Sequence, residues 1–245
     1  MSHTRLDVPL ADWPVAILAG GLATRLRPRT ERIPKALLEV SGHPFIVHQL
    51  ALLHTSGFRR IVLCLGYLGD QIETLLGDGA HYGLRIEYSF DGPQLLGTGG
   101  ALKRALPLLG DRFVVLYGDS YLPVDYKAIV QTFLEQGKPA LMTVFQNDGR
   151  WDKSNVLFES GQIRCYSKRV PSPDMRYIEY GVSVLTKNVF NHFSNSRVLD
   201  LSDVYNQLVE SGQMAACEVK QRFYEIGSPD GLADLDQMLG NQPVI

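Results

Sequence analysis

The stretch VAILAGGLATRLRPRTERIPKALLEV, residues 15–40, decides the reading of the fold. It opens as a short apolar run without alternation, the pattern of a strand buried on both faces of a sheet. The run breaks at Gly20 and Gly21 and then carries five cationic side chains, Arg25, Arg27, Arg29, Arg32 and Lys35, before apolar residues return. Ligands of open parallel sheets bind beyond the carboxyl ends of the strands. Glycines at such a point let backbone N–H groups approach an anion, and nearby cations neutralise it. On glycines and charge alone, two readings stand: a phosphate cradle or a solvated loop. Two familiar phosphate loops fail the test. Leu22 and Arg25 occupy the later glycine positions of GxGxxG, and no GK[ST] follows for a Walker A loop.

Working outward, strand-like and helical patterns alternate. PFIVHQLALLHTSG (44–57) puts Ile46, Leu50 and Leu53 on one helical face, with Pro44 suited to the first turn and Gly57 to the stop. RIVLCL, LRIEYSF, FVVLYGD and PALMTVF read as strands. Between them lie helical patterns: one aligning Leu68, Ile72, Leu75 and Leu76, one aligning Leu102, Leu106 and Leu109 with Pro107 as an end or kink, and VDYKAIVQTFLEQG. Strands joined by helical crossovers predict an α/β fold, a Rossmann-like three-layer sandwich with a mainly parallel mixed sheet. After about residue 150 the rhythm changes to a hairpin turning at Ser160 and Gly161, a strand IEYGVSVLT, and two further helices around MAACEV.

The chain has 245 residues, 45% of them hydrophobic, enough for a substantial core. A net charge of −2 argues against general affinity for nucleic acid or anionic membrane, so the basic cluster acts locally. Three dispersed cysteines, Cys64, Cys165 and Cys217, fit reduced thiols better than a disulfide framework. The N-terminal residues carry no continuous apolar segment of leader type, and no run approaches the ~20 apolar residues of a membrane span. These features lead us to expect a soluble, cytoplasmic protein.

Residues 18–44 resemble the signature of the sugar-1-phosphate nucleotidyltransferases, approximately LAGGxGTRLxPxTxxxPKxLLxVxGxP. The match runs from Leu18 to Leu26 and includes Pro28, Thr30, Pro34, Lys35, Leu37, Leu38, Val40, Gly42 and Pro44. Ala23 is its one departure, standing where the family usually has Gly; a methyl there makes positive φ costly. Short bacterial members, the heptose-1-phosphate guanylyltransferases and N-acetylmuramate-1-phosphate uridylyltransferases, look most similar. The resemblance implies the nucleotide-diphospho-sugar transferase fold in a single domain over 1–245, with a nucleotide-binding half (about 1–145) and a sugar-binding and closing half (about 146–245). It implies NTP and a sugar 1-phosphate as substrates, with no nucleic-acid or membrane partner. The oligomeric state is open, as are the base and the sugar.

Carried over position by position, the resemblance places Leu18, Gly20 and Gly21 at the nucleotide and Arg25 and Lys35 at the phosphates as catalytic residues. Arg27, Arg29 and Arg32 are not fixed by the signature and read as solvated. The segment QLLGTGGAL brings Gly97, Thr98 and Gly99 to a helix start, where free backbone donors suit a nucleoside and Thr98 alternatively suits a cap. Asp119, just past FVVLYG, and Glu225, in FYEIGSPDGL, match the family's metal carboxylates, implying Mg²⁺ as cofactor. Glu225 stands where the family has Asp and alternatively serves a helix dipole. Lys168 lies near the family's second lysine, and Asn155, Glu179 and Gly181 are sugar-contact candidates; each also reads as an ordinary strand or surface residue. A phosphocholine cytidylyltransferase of the same fold would need an aromatic or acidic cage, for which Tyr121, Trp151 and Tyr180 are available. A noncatalytic nucleotide-sugar binding protein is a further alternative.

Overall fold

A computed structural model describes residues 8–194 and 198–240. Residues 1–7 of the N-terminal stretch read above as lacking a leader lie outside the described residues. Nine of the apolar runs join in one sheet: β1 (Pro14–Leu18), β2 (Arg60–Leu65), β3 (Arg85–Phe90), β4 (Arg112–Tyr117), β5 (Ala140–Gln146), β6 (Val156–Glu159), β7 (Gln162–Tyr166), β8 (Tyr177–Thr186) and β9 (Met214–Val219). The helices are α1 (Phe45–Thr55), α2 (Gly69–Leu76), α3 (Gly97–Leu109), α4 (Tyr126–Gln136), α5 (Leu201–Glu210) and α6 (Pro229–Leu239).

Across the sheet the order is β3-β2-β1-β4-β8-β5-β9, and every neighbouring pair is parallel except those of β8, which runs against both β4 and β5. The β6–β7 hairpin joins the edge of β8 through Tyr177 and Val156. It turns at Ser160 and Gly161 with φ of 51° and 75°, the paired positive values that a two-residue hairpin favours. The mainly parallel mixed sheet is therefore as expected.

Alternate residues of each central strand feed opposite layers. Val15 and Ile17 join the cluster covered by α1, α2 and α4, whereas Ala16 joins the cluster covered by α3 and α5. Ile46, Leu50 and Leu53 of α1 are completely buried, each contributing about 1.5–3 kcal/mol of transfer free energy. A smaller cluster seats α6 through Leu235 and Leu239 on Val40, Phe45, Tyr121 and Ile226. Local chemistry sets several helix ends. Asp125 accepts from Ala128 N at the start of α4, Gly137 closes that helix at φ 63°, and Ser228 with Pro229 opens α6.

Two helical details differ from the sequence reading. Leu75 is exposed and Leu68 sits at the N-cap of α2 with φ 56°, so only Ile72 and Leu76 of the expected stripe are buried. The helix α3 runs two residues beyond Pro107, because a proline in the last turn removes a single bond without forcing a stop.

The chain leaves β1 toward β2 and β3 on one side and returns to β4 on the other. That reversal is the topological switch point, where a parallel sheet opens a crevice beyond its carboxyl ends. Gly20, Gly21 and Asp119 stand there because they directly follow β1 and β4.

Candidate active site

Gly20 and Gly21 do different jobs. A Cβ on Gly20 would lie 2.9 Å from the backbone N of Gly66 after β2, whereas a Cβ on Gly21 would meet nothing within 4 Å. Gly20 therefore permits two chain turns to pack, and Gly21 leaves space over the cleft. Ala23 adopts φ 47° and ψ 43°, left-handed despite its methyl. Its carbonyl is held by the Oγ1 of buried Thr30 at 2.8 Å and by the N–H of Leu26 at 3.1 Å. Beyond it Arg25, Arg27, Arg29 and Arg32 are exposed, as expected for the latter three, while Lys35 turns inward. Its Nζ lies 2.7 Å from Oδ2 of Asp119.

Three hollows meet around this ion pair. The first, about 260 Å³, is lined by Leu18, Gly20, Gly21, Lys35, Gly97, Thr98 and Asp119, among others. The second, about 210 Å³, shares Tyr117 and Asp119 with it and is lined by Asn155, Lys168, Glu179, Gly181 and Glu225. The third, about 220 Å³, runs outward between Ala23, Arg25, Lys35 and Gly227. Residues named from distant parts of the sequence thus fall into one connected groove.

Gly99 does not line it. The N–H groups of Gly99 and Gly100 both donate to the carbonyl of Leu199, at 2.9 and 3.1 Å, so these two donors of the helix start are already used. A Cβ on Gly97 would lie 2.5 Å from that same carbonyl, and Thr98 Oγ1 accepts from Leu201 N at 2.8 Å. The glycines admit the chain leading into α5; Gly97 and Thr98 still border the first hollow.

In the second hollow, Glu179 is an organiser. Its carboxylate is only 5% exposed and accepts from Tyr117 OH at 2.8 Å and Tyr166 OH at 2.5 Å, with Lys168 Nζ 3.2 Å away. Asn155 Oδ1 accepts the Glu179 N–H at 2.8 Å, and Lys168 also donates to Tyr117 OH at 3.1 Å. Burial works against the Lys168 charge, but the Glu179 carboxylate outweighs it and raises the ammonium's pKa. Burial likewise pushes the Tyr117 and Tyr166 hydroxyls up, keeping both as neutral donors. Gly181, at φ 108°, sits where β8 slips register against β5 between Glu179 and Ser183.

Glu225 reaches Asp119 through a two-residue ladder, Tyr224 against Tyr121 and Glu225 against Ser120, extended by Ile226 N donating to Asp119 O at 2.9 Å. Burial raises the Glu225 pKa, and the charges of Asp119 and Asp152 raise it further against the pull of Arg25 and Lys35. Among the described residues no group of three or more His, Cys, Asp or Glu is arranged to hold a metal.

A model of the family described as nucleotidyl transferase matches residues 15–242. The chain belongs to the nucleotidyl transferase family. It is 45% identical over 117 residues to the N-acetylmuramate alpha-1-phosphate uridylyltransferase of Neisseria meningitidis serogroup B, an alignment covering 47% of this chain and 51% of that protein. It is 28% identical over 215 residues to the D-glycero-alpha-D-manno-heptose 1-phosphate guanylyltransferase of Campylobacter jejuni, covering 87% and 94%. The matched region thus spans about half of the first relative and nearly all of the second. A solved Bacillus anthracis structure, assigned as a glucose-1-phosphate thymidylyltransferase, superposes with a TM-score of 0.84 at 23% identity, covering 94% of this chain and 96% of that one, and shows the shared fold.

Three polar residues of this family member escaped the sequence reading. Gln49 of α1 is buried and donates from Nε2 to the carbonyls of Tyr117 and Ser120, both at 2.9 Å, bracing the turn that carries Asp119. Asp91 is buried in the wall of the first hollow, where Oδ2 accepts from Leu96 N at 3.1 Å and burial raises its pKa. Asp152 lines the second hollow. The one available signal was Gln49 itself, a polar residue on an otherwise apolar helix face.

The three aromatics suggested for a choline cage do not converge: Tyr121 packs under α6, the Trp151 ring is covered by the Arg222 guanidinium 3.5 Å from its centroid, and of the three only Tyr180 lines the second hollow. Among the described residues no helix is long and apolar enough to cross a membrane, and the three cysteines are free thiols.

Proposed function

We propose that the protein transfers a nucleoside monophosphate from an NTP to a sugar 1-phosphate, releasing pyrophosphate and an NDP-sugar. The observation that carries this reading is the junction of the first and second hollows at Tyr117 and Asp119, with Lys35 bound to Asp119 at the meeting point. The nucleotide would occupy the hollow under Gly20 and Gly21, and the sugar 1-phosphate the one holding Lys168, Glu179, Asn155 and Gly181. A phosphate oxygen of the sugar 1-phosphate attacks the α-phosphorus, forming a P–O bond as the bond to the β-phosphate oxygen breaks. The nucleophile is already ionised at neutral pH, so no general base is needed. Catalysis then rests on placement and on preorganised cations: Lys35 at the reacting centre, Arg25 along the outward hollow toward the departing pyrophosphate.

Asp119 and Glu225 fit Mg²⁺. They are two carboxylates with hard oxygen donors, the number this ion takes alongside phosphate oxygens; burial chiefly, and then the neighbouring Asp119 and Asp152 charges, raise the Glu225 pKa, and a cation would offset both. When bound, Mg²⁺ would neutralise charge on the phosphate oxygens.

The test is a matrix of purified protein, Mg²⁺, each NTP and a panel of sugar 1-phosphates and phosphocholine, read as pyrophosphate release. Release with one NTP and a sugar 1-phosphate is expected. Nucleotide binding without release in any combination would instead identify a binding protein.

A further inference from the structure

The hollow assigned to the sugar is acidic. Asp119, Asp152, Glu179 and Glu225 line it, and Lys168 is the one Lys or Arg among its lining residues. Lys168 is already engaged by Glu179 at 3.2 Å. If Asp119 and Glu225 are neutralised by a bound cation and Glu179 by Lys168, the charge left over is that of Asp152. Among the described residues no ion pair involves it; its Oδ1 accepts only the Lys153 N–H, at 2.6 Å.

The backbone that carries Asp152 is fixed. Asn147, completely buried, donates to the Asp152 carbonyl at 2.6 Å and to Ser154 Oγ at 3.1 Å, while its Oδ1 accepts from Trp151 N at 3.3 Å. The Trp151 ring is pinned by Arg222, which also stacks on Tyr224 at 4.5 Å and pairs with Asp234. An unpaired, exposed carboxylate whose backbone is held on the wall of a binding hollow accepts hydrogen bonds from hydroxyls and repels a second carboxylate.

We infer that Asp152 sets acceptor specificity, selecting sugar 1-phosphates whose ring substituents are neutral hydroxyls and rejecting those that carry a carboxylate. This rests on the transfer reading above. It separates this chain from the Neisseria relative, whose named substrate, N-acetylmuramate 1-phosphate, bears a carboxylate in its lactyl ether.

The experiment measures kcat/KM for neutral acceptors (glucose, mannose, galactose and heptose 1-phosphates) and for carboxylated ones (glucuronate, galacturonate and N-acetylmuramate 1-phosphates). Wild type should favour the best neutral acceptor over the best carboxylated one by about tenfold or more, the scale of one close like-charge contact. Asp152→Asn should reduce that ratio severalfold and Asp152→Lys should reduce it further, an ordering that charge requires and shape does not. Raising the salt concentration should weaken the wild-type preference. Equal use of both classes by wild type, or a ratio unmoved in both variants, would overturn the inference alone. Turnover of no acceptor at all would overturn the transfer reading and this inference with it.

Discussion

Substituting the two adjacent glycines one at a time separates folding from binding at the same turn. In Gly20→Ala the new methyl would sit 2.9 Å from Gly66 N and 3.2 Å from Leu65 C, both backbone atoms that cannot swing aside. Overpacking of this kind costs about 1–3 kcal/mol. For a chain of this size that corresponds to a melting temperature lower by roughly 4–8 °C near the middle of the range. In Gly21→Ala the methyl meets nothing within 4 Å, and the residue is absent from the positive-φ glycines. Its stability should match wild type or rise by ~0.4–1 kcal/mol through a less flexible unfolded chain. Nucleotide affinity should behave in the opposite way, since Gly21 lines the hollow that would hold the NTP and a methyl there takes up open space. A crowding cost of about 1–3 kcal/mol would weaken binding roughly fivefold to 150-fold. Thermal unfolding and calorimetric titration with the preferred NTP measure both quantities. If Gly21→Ala binds nucleotide as wild type does, or melts as low as Gly20→Ala, the assignment of Gly21 to the nucleotide is wrong.

The left-handed Ala23 costs about 1–2 kcal/mol relative to a glycine backbone, partly offset by the greater unfolded-state freedom of glycine. Ala23→Gly should therefore be neutral or stabilise by up to ~1 kcal/mol in denaturant melts, and Ala23→Val should destabilise clearly; a clear loss of stability in Ala23→Gly would contradict the strain. Glu225 has a folded-state pKa above its unfolded value of 4.5, so the stability tied to its protonated form is complete below that value and lost as pH rises through the folded pKa. Glu225→Gln should accordingly melt higher than wild type at pH 7 without metal and close to it at pH 4. Added Mg²⁺ should raise the melting temperature of wild type more than that of Glu225→Gln, and equal shifts in the two proteins would remove Glu225 from the metal site.

The central sheet was legible because its strands are buried on both faces and therefore read as unbroken apolar runs such as VAILAG and FVVLYG. The cradle was legible because one long pattern fixes Lys35 among many positions, while a separate match just past FVVLYG places Asp119, 84 residues further on. Legibility fell where a residue's role is set by a neighbour from a distant segment. Gly99 looks like an open helix start until Leu199 takes its N–H, and that partner arrives 100 positions later in the chain. Asp91 lies in DGP and Asp152 in a loop between strands, contexts in which aspartate ordinarily means a turn. Glu179 was read as a sugar contact from its segment, but only the folded chain reveals that Tyr117, Tyr166 and Lys168 converge on it.

The most direct measurement of nucleotidyl transfer at the Lys35–Asp119 junction is pyrophosphate release by wild type and Lys35→Met, with and without the sugar 1-phosphate. Wild type should release one pyrophosphate for each NDP-sugar formed, and only when both substrates are present. Lys35→Met should keep its fold, because a partly exposed ion pair contributes about 1 kcal/mol or less. Its turnover should fall on the order of a hundredfold or more, the effect of removing one preorganised charge-stabilising donor. Pyrophosphate release from NTP alone, or turnover in Lys35→Met equal to wild type, would contradict it.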